Sequence, residues 1–310
     1  MNKTAIVTGA NGFVGSAVTK ELLNHGYTVY AVVRAGKEKD LPKAEQGTLL
    51  TVNSSLETIK DLKDKLQGHP LEGSTFYHFA WAGSAGPARA DASLQLNNVR
   101  WSLDAMETAK ALGCKRFVMA GSIMEHETFT ASYTDGNKPG PAYIYGCGKL
   151  TAHAMCMSTA AKIGIELLWP EITNAYGVGE LSPRMVNTTI RKCINGENPQ
   201  FTAGTQNYDF VYITDVARAF RMIGENGKPF HEYLIGSGNA KPLKELLLEM
   251  KAAIAPNLDF IFGDVPFTGI NLPLTAFDTK KTEQDTGFKA QVSFAEGCRL
   301  TRDWLKEQQA

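Results

Sequence analysis

Thr8-Gly9-Ala10-Asn11-Gly12-Phe13-Val14-Gly15 is the stretch that decides how this chain folds. Apolar Ala5-Ile6-Val7 leads into it and reads as a β-strand, and amphipathic Val14 to Leu23 leaves it and reads as a helix. Each of the three glycines at this strand-to-helix turn has its own purpose. Gly9 permits the tight turn, Gly12 lets a pyrophosphate approach the backbone, and Gly15 lets the helix lie close to the sheet. The phosphates then face a helix N-terminus, where unpaired N–H groups and the helix dipole favour an anion. Thr8, Gly9, Asn11, Gly12, Phe13, Val14 and Gly15 are therefore candidate dinucleotide contacts.

Downstream, strand and helix patterns alternate. Thr28–Val33, Thr48–Val52, Phe76–Ala80, Arg116–Gly121 and Gly164–Trp169 read as strands; Leu56–Leu66, Asp91–Leu112 (closed by Gly113) and Tyr145–Ala161 read as helices. This order predicts an α/β fold, a Rossmann-type doubly wound parallel sheet whose ligand lies beyond the carboxyl ends of the strands. The second half has shorter elements: strands at Phe210–Ile213, Glu232–Ile235 and Phe260–Phe262, and helices at Asp215–Ile223, Leu243–Ile254 and Phe294–Leu305. They predict a smaller C-terminal α/β lobe over 171–310, packed on a dinucleotide domain over 1–170, with 205–225 returning to the first domain. Pro266 to Pro273 reads as a pocket-lining loop.

With 310 residues and 43% hydrophobic content the chain can bury a full core. Lys+Arg and Asp+Glu are equal at 32 each, so no net field points to nucleic acid or an anionic membrane. No apolar run is long enough for a membrane span and none resembles a leader. The five cysteines, Cys114, Cys147, Cys156, Cys193 and Cys298, are scattered and form no CxxC pair. Free thiols, a cytoplasmic location and no metal site are expected.

Cofactor choice is read at the end of the second strand. An acid there would accept the ribose hydroxyls of NAD, but Arg34 stands in its place, with Lys37 beyond. Two cations suit a 2′-phosphate, so NADP is expected over NAD. Asn53 is placed at the adenine edge. The chemistry comes later, at Ser122 on a strand's carboxyl end and in Tyr145-Gly-Cys-Gly-Lys149. Tyr145 and Lys149 share one helix face, and an ammonium near the phenol would bring its pKa down from about 10 towards neutrality. Tyr145 then serves as acid or base, with Ser122 hydrogen-bonding the same substrate oxygen. His78 reads as a packed residue, and Trp81 as either pocket wall or core.

These motifs resemble those of extended short-chain dehydrogenase/reductases of the NAD(P)-dependent epimerase/dehydratase type. The resemblance spans nearly the whole chain. It rests on the glycine turn, His78-Phe79-Ala80-Trp81, Asn98-Val99, Ser122, Tyr145 with Lys149, Asn174-Ala175-Tyr176-Gly177, Asp209 to Val216, and Gly287 to Trp304. It implies that Ser122, Tyr145 and Lys149 move a hydride between a nicotinamide and a secondary alcohol carbon. It also implies that Ala80 and Trp81 line the cofactor site, that Lys149 contacts the nicotinamide ribose, and that the chain is a homodimer.

Departures narrow the reaction. Sugar-nucleotide dehydratases carry an Asp-Glu pair after the catalytic hydroxyl, whereas Ser122 is followed by Ile123-Met124 and only Glu125 is acidic. Epimerases place an arginine before Asp-Phe to clamp a diphosphate, and here Tyr208 precedes Asp209. Arg184 is the substitute cation, so Trp81, Glu125, Asn174, Arg184 and Tyr208 are the candidate substrate contacts. The expected function is NADP-dependent reduction of a keto group on a nucleotide-activated deoxysugar. The alternatives are a nucleotide-sugar 4-epimerase, a reductase of a small non-sugar ketone, and a non-catalytic NADP-binding regulatory protein.

Overall fold

The computed structural model describes residues 3–43 and 46–308. The first half runs β1 (Thr4–Thr8), α1 (Phe13–Asn24), β2 (Thr28–Val33), β3 (Thr48–Asn53), α2 (Leu62–Lys65), β4 (Thr75–His78), α3 (Ala92–Ala111), β5 (Arg116–Met119) and β6 (Gly121–Ser122). It continues through α4 (Met124–Tyr133), α5 (Tyr143–Ile163) and β7 (Glu166–Ile172). The sheet is ordered β12-β7-β5-β4-β1-β2-β3, where β12 is Glu232–Ile235, and β6 adds to β7; every pairing in it is parallel. Strands covered on both faces read as continuous apolar runs, as β1 does. Ala5 and Val7 point into one core with Leu22, Phe220 and Ile223, and Ile6 points into the other with Phe76, Met106 and Phe117.

The rest is a smaller lobe with short strands. It comprises β8 (Ala175–Tyr176), α6 (Met185–Ile194), β9 (Gln200–Phe201), β10 (Asn207–Tyr208), β11 (Val211–Tyr212), α7 (Ile213–Asn226), β13 (Lys241–Pro242), α8 (Leu243–Ile254), β14 (Ile261–Phe262), α9 (Lys280–Thr286) and α10 (Phe294–Glu307). Paired strands β8–β11, β9–β14 and β10–β13 stand apart from the main sheet. Helix α7 packs on α1, tying this half to the glycine turn. Its first turn carries Asp215, which does not cap the helix. Its carboxylate pairs with Arg218 at 2.6 Å and accepts the Gln291 and Val292 N–H groups at 2.9 Å, fastening the C-terminal segment instead.

Two local expectations change. The helix predicted over 56–66 shrinks to a 3₁₀ turn, Ile59–Asp61, and the single turn α2. The Ser54 hydroxyl donates to the Thr58 carbonyl and lies within hydrogen-bond distance of the Thr58 hydroxyl, holding the preceding residues in a turn, so only Ile59, Leu62 and Leu66 are buried from this face. Conversely, α4 forms where no helix was predicted. All five cysteines are free, and no described helix is long and apolar enough to cross a membrane.

Candidate active site

Two adjoining cavities lie beyond the carboxyl ends of the strands. The larger, about 640 Å³, is lined by Thr8, Gly9, Asn11 to Gly15, Arg34, Ala80, Trp81, Tyr145 and Lys149, among others. The smaller, about 340 Å³, is lined by Arg89, Met124, Glu127, Asn174, Arg184 and Tyr208, among others. Ser122, Tyr145 and Arg184 border both. A long cleft thus meets a compact pocket at the hydroxyls read as catalytic.

The glycine turn suits a dinucleotide because nothing larger than hydrogen fits at its tightest points. Gly9 has φ +66°, and a Cβ there would stand 2.8 Å from the Ala80 nitrogen. A Cβ on Gly15 would overlap the Gly9 carbonyl oxygen and lie 2.8 Å from its carbon. Gly15→Ala is therefore expected to push α1 off β1, costing roughly 1–3 kcal/mol by overpacking. Dinucleotide affinity should fall about tenfold, ~1.4 kcal/mol. Fluorescence titration with nicotinamide dinucleotides and a thermal melt check this, and an unchanged affinity would show that the turn does not set the cofactor's position.

Tyr145-Gly-Cys-Gly-Lys149 begins α5, and its glycines explain how the helix seats. A Cβ on Gly146 would strike the Thr128 hydroxyl and come within 2.8 Å of the Met124 carbonyl, so this glycine lets α4 lie against α5. Gly148 faces Gln95 and the Trp81 ring. Trp81 is fixed by its indole N–H, which donates to Gln95 Oε1 at 2.8 Å. Its ring carries the Lys149 ammonium at 3.7 Å from the centroid and meets the Tyr145 ring edge-on at 6.1 Å.

Lys149 is buried and donates to the Ala120 carbonyl at 2.8 Å. Burial brings its pKa down to about 7 against the opposing pull of Glu125 and Cys156. Burial also raises the Tyr145 phenol above its ordinary value, while Arg184, Arg89 and the Ser122 hydroxyl act to lower it. Two arginines thus act on the phenol, while the Lys149 ammonium is held by the Ala120 carbonyl and the Trp81 ring. His78 is buried, with Nδ1 2.8 Å from the Thr8 hydroxyl, and burial pushes its pKa down to about 3. It is a packed residue.

The substrate contacts read from the sequence divide. Trp81, Asn174, Arg184 and Tyr208 line one or other cavity; Asn174 is held by a 3.1 Å bond from its amide to the Asp209 carbonyl. Glu125 lines neither. It is buried, accepts the Ser122 N–H at 2.9 Å and the Trp169 indole N–H at 3.2 Å, and lies 3.0 Å from His153 Nδ1. Its carboxylate supports the Ser122 backbone from behind. Arg184 is half exposed and stands 3.6 Å from Glu180. Arg89 and Glu127 are among the pocket residues that escaped the sequence reading. Burial raises the Glu127 carboxyl to about 7, and the Arg89 charge opposes that shift.

The family model for the NAD dependent epimerase/dehydratase family matches residues 5–236. The chain belongs to that family. It is 30% identical over 260 residues to a protein of Aggregatibacter actinomycetemcomitans named dTDP-6-deoxy-L-talose 4-dehydrogenase (NAD(+)), covering 80% of this chain and 89% of that one. It is 26% identical to a putative UDP-glucose 4-epimerase of Methanocaldococcus jannaschii, over 97% of this chain and 98% of that one. The structure of MoeE5 in complex with UDP-glucuronic acid and NAD superposes with a TM-score of 0.78 at 25% identity, covering 98% and 99% of the two chains.

These relatives correct the cofactor expectation. MoeE5 was solved with NAD in both its UDP-glucuronic acid and UDP-glucose complexes, against the preference for NADP read from Arg34 and Lys37. The cleft shows why that reading misled. Lys37 is absent from its lining and stands 3.9 Å from Asp40. Arg34 does line it, but so do Glu57, Ser54 and Ser55, and the Arg34 charge draws on the Glu57 carboxylate. Carboxylate and hydroxyl acceptors for ribose are therefore present, supplied from beyond β3. Asn53 does not reach the cleft; it borders a separate surface depression with Tyr30, Lys65 and His69, and its carbonyl accepts from Lys65.

Proposed function

We propose that this protein is an NAD-dependent 4-epimerase of a nucleotide-activated hexose. The observation that carries the reading is the position of Tyr145 and Ser122 at the junction of the two cavities. One wall of that junction suits a dinucleotide and the other a sugar. The names of the relatives supply the substrate class, UDP- or dTDP-linked sugars. A homodimer through α3 and α5, which pack side by side and expose Leu96 and Met155, belongs to the same reading.

NAD, held by the glycine turn, Arg34 and Ala80, would supply the hydride acceptor and donor. The protein's own residues handle the proton. With its phenol ionised, which Arg184, Arg89 and Ser122 favour against the upward push of burial, Tyr145 takes the proton of the C4 hydroxyl as that carbon is oxidised, and returns it when the carbon is reduced from the other face. Ser122 hydrogen-bonds the same oxygen and steadies the charge that grows on it. Lys149, held between the Ala120 carbonyl and the Trp81 face, lines the larger cavity and would help hold the dinucleotide there. Elimination of water is disfavoured because Glu125, the acid that follows the catalytic hydroxyl, is committed to Ser122 and Trp169.

A second reading is a 4-dehydrogenase or 4-ketoreductase working with NAD(H), favoured by the 30% identity to the deoxytalose enzyme. Incubating the protein and NAD with UDP- and dTDP-hexoses deuterated at C4 separates the two. An epimerase inverts C4, keeps the label in the sugar and releases no NADH. A dehydrogenase gives a keto product with one labelled NADH for each. No change in any sugar of the panel would overturn both.

Arg184, at the border of both cavities, is expected to hold an anionic part of the substrate. Arg184→Ala should raise KM about tenfold, ~1.4 kcal/mol, with little change in NAD affinity. Steady-state kinetics check this, and an unchanged KM would remove Arg184 from the substrate site.

A further inference from the structure

Arg89 sits in a 3₁₀ turn, Pro87–Ala90, in the long connection between β4 and α3. Its guanidinium carbon stands 4.7 Å from the centroid of the Tyr145 ring. Its Nε is buried and has no hydrogen-bond partner among the described residues. Arg89 is only partly buried, but leaving its Nε buried without an acceptor is costly, so this edge of the guanidinium needs another compensating feature. The aromatic face it covers provides part of that compensation, and an ionised Tyr145 oxygen would provide more.

We propose that Arg89 is a positioning residue that holds the Tyr145 phenol ready to ionise, in the part usually given to a lysine one helical turn away. The proposal rests on Tyr145 being the acid–base group. It follows from where each cation lies. Lys149 is spent on the Ala120 carbonyl and the Trp81 ring, and burial leaves it only weakly committed to its charged form near neutrality. Arginine stays charged throughout the working range. Arg89 lies over the phenol ring, and its turn is carried on the same structure that fixes Trp81.

Other groups face the phenol and set the balance. Arg184, ahead of α6, acts in the same direction as Arg89 but is half exposed and lies near Glu180, which tempers its charge. Ser122, on β6, also favours the phenolate, whereas Glu125, on α4, opposes it. Glu127, on α4, feels Arg89, and Tyr208, on β10, lines the same pocket. Among these groups Arg89 is the cation stacked on the ring itself.

The test compares wild type, Arg89→Met and Arg89→Lys, each loaded with NAD. Phenolate absorbance is titrated with pH, and the signal of Tyr145 is isolated by subtracting the matching Tyr145→Phe protein. This readout needs no substrate, so it stands even if no sugar is turned over. Arg89→Met is expected to move the Tyr145 midpoint upward by about one pH unit, and Arg89→Lys to restore most of it. With a turned-over sugar, the acid limb of the kcat profile should shift by the same amount and KM should change little. An unmoved midpoint in a folded, NAD-binding Arg89→Met protein overturns the proposal. A raised KM with an unmoved limb does so too, and makes Arg89 a substrate contact.

Discussion

Replacing Tyr145 by Phe is expected to lower kcat by roughly 10²–10⁴, with the fold and NAD affinity retained. The ring makes the contacts that position this segment, edge-on to Trp81 and beneath Arg89, and phenylalanine keeps both. The hydroxyl is lost, and with it the transferable proton and the hydrogen bond to Ser122. Because phenylalanine keeps the ring that lines the smaller pocket, KM should change far less than kcat. Ser122→Ala should cost less, since a hydrogen-bond donor to the reacting oxygen is removed while the proton carrier remains. The measurement is single-turnover change of the bound nicotinamide with a sugar that wild type converts. If Tyr145→Phe matches wild type on that sugar, the acid–base assignment is wrong and Arg89 loses its proposed role with it.

The parts of the site legible in the sequence were those that backbone geometry dictates. A strand, three glycines and a helix leave little choice about the turn at Gly9 to Gly15, and a four-residue spacing puts Tyr145 and Lys149 on one face. Side-chain direction was not legible. Nothing in Tyr145-Gly-Cys-Gly-Lys149 says that the ammonium turns to Ala120 and Trp81, because those partners come from a separate strand and loop. Helix α4 was hidden for a different reason. Its buried positions are Glu125, Thr128 and Ala131, so the apolar period that announces a helix is absent. With α4 unseen, Glu127 could not be placed in the pocket. Arg89 lay in Gly86-Pro87-Ala88-Arg89-Ala90, which reads as a turn and carries no pattern at all. The cofactor reading failed at the same level: Arg34 follows β2 as read, but Glu57 reaches the same cleft from beyond another strand.

Glu125→Ala is expected to cost the fold about 3 kcal/mol, although Glu125 touches no cavity. The carboxylate is 2% exposed and takes the Ser122 N–H and the Trp169 indole N–H, with His153 against its other side. Truncation leaves the buried Trp169 donor and the part-buried Ser122 donor without an acceptor, at roughly 1–3 kcal/mol for the first and less for the second. The contacts of the lost methylene groups add to that. One effect opposes this loss. Glu171, 1% exposed on β7, is held well above the ordinary carboxylate range by burial, and Glu125 adds to that shift. Removing Glu125 relieves that repulsion, worth about 1.4 kcal/mol for each pKa unit. His126, 2.7 Å from Glu171, already offsets much of it, so the orphaned donors decide the sign. Repacking offers little escape: a Cβ on Gly121 would lie 2.5 Å from the Trp169 indole nitrogen, and His153 stacks on that ring at 4.4 Å. Glu125→Gln, which keeps an acceptor, should lose about half as much. Urea unfolding of the NAD-free proteins measures the difference, and kcat should fall as well, because the Ser122 backbone loses its anchor. A Glu125→Ala protein as stable as wild type would mean that Trp169 and Ser122 find other acceptors, and that the carboxylate behind the catalytic serine is not what holds it in place.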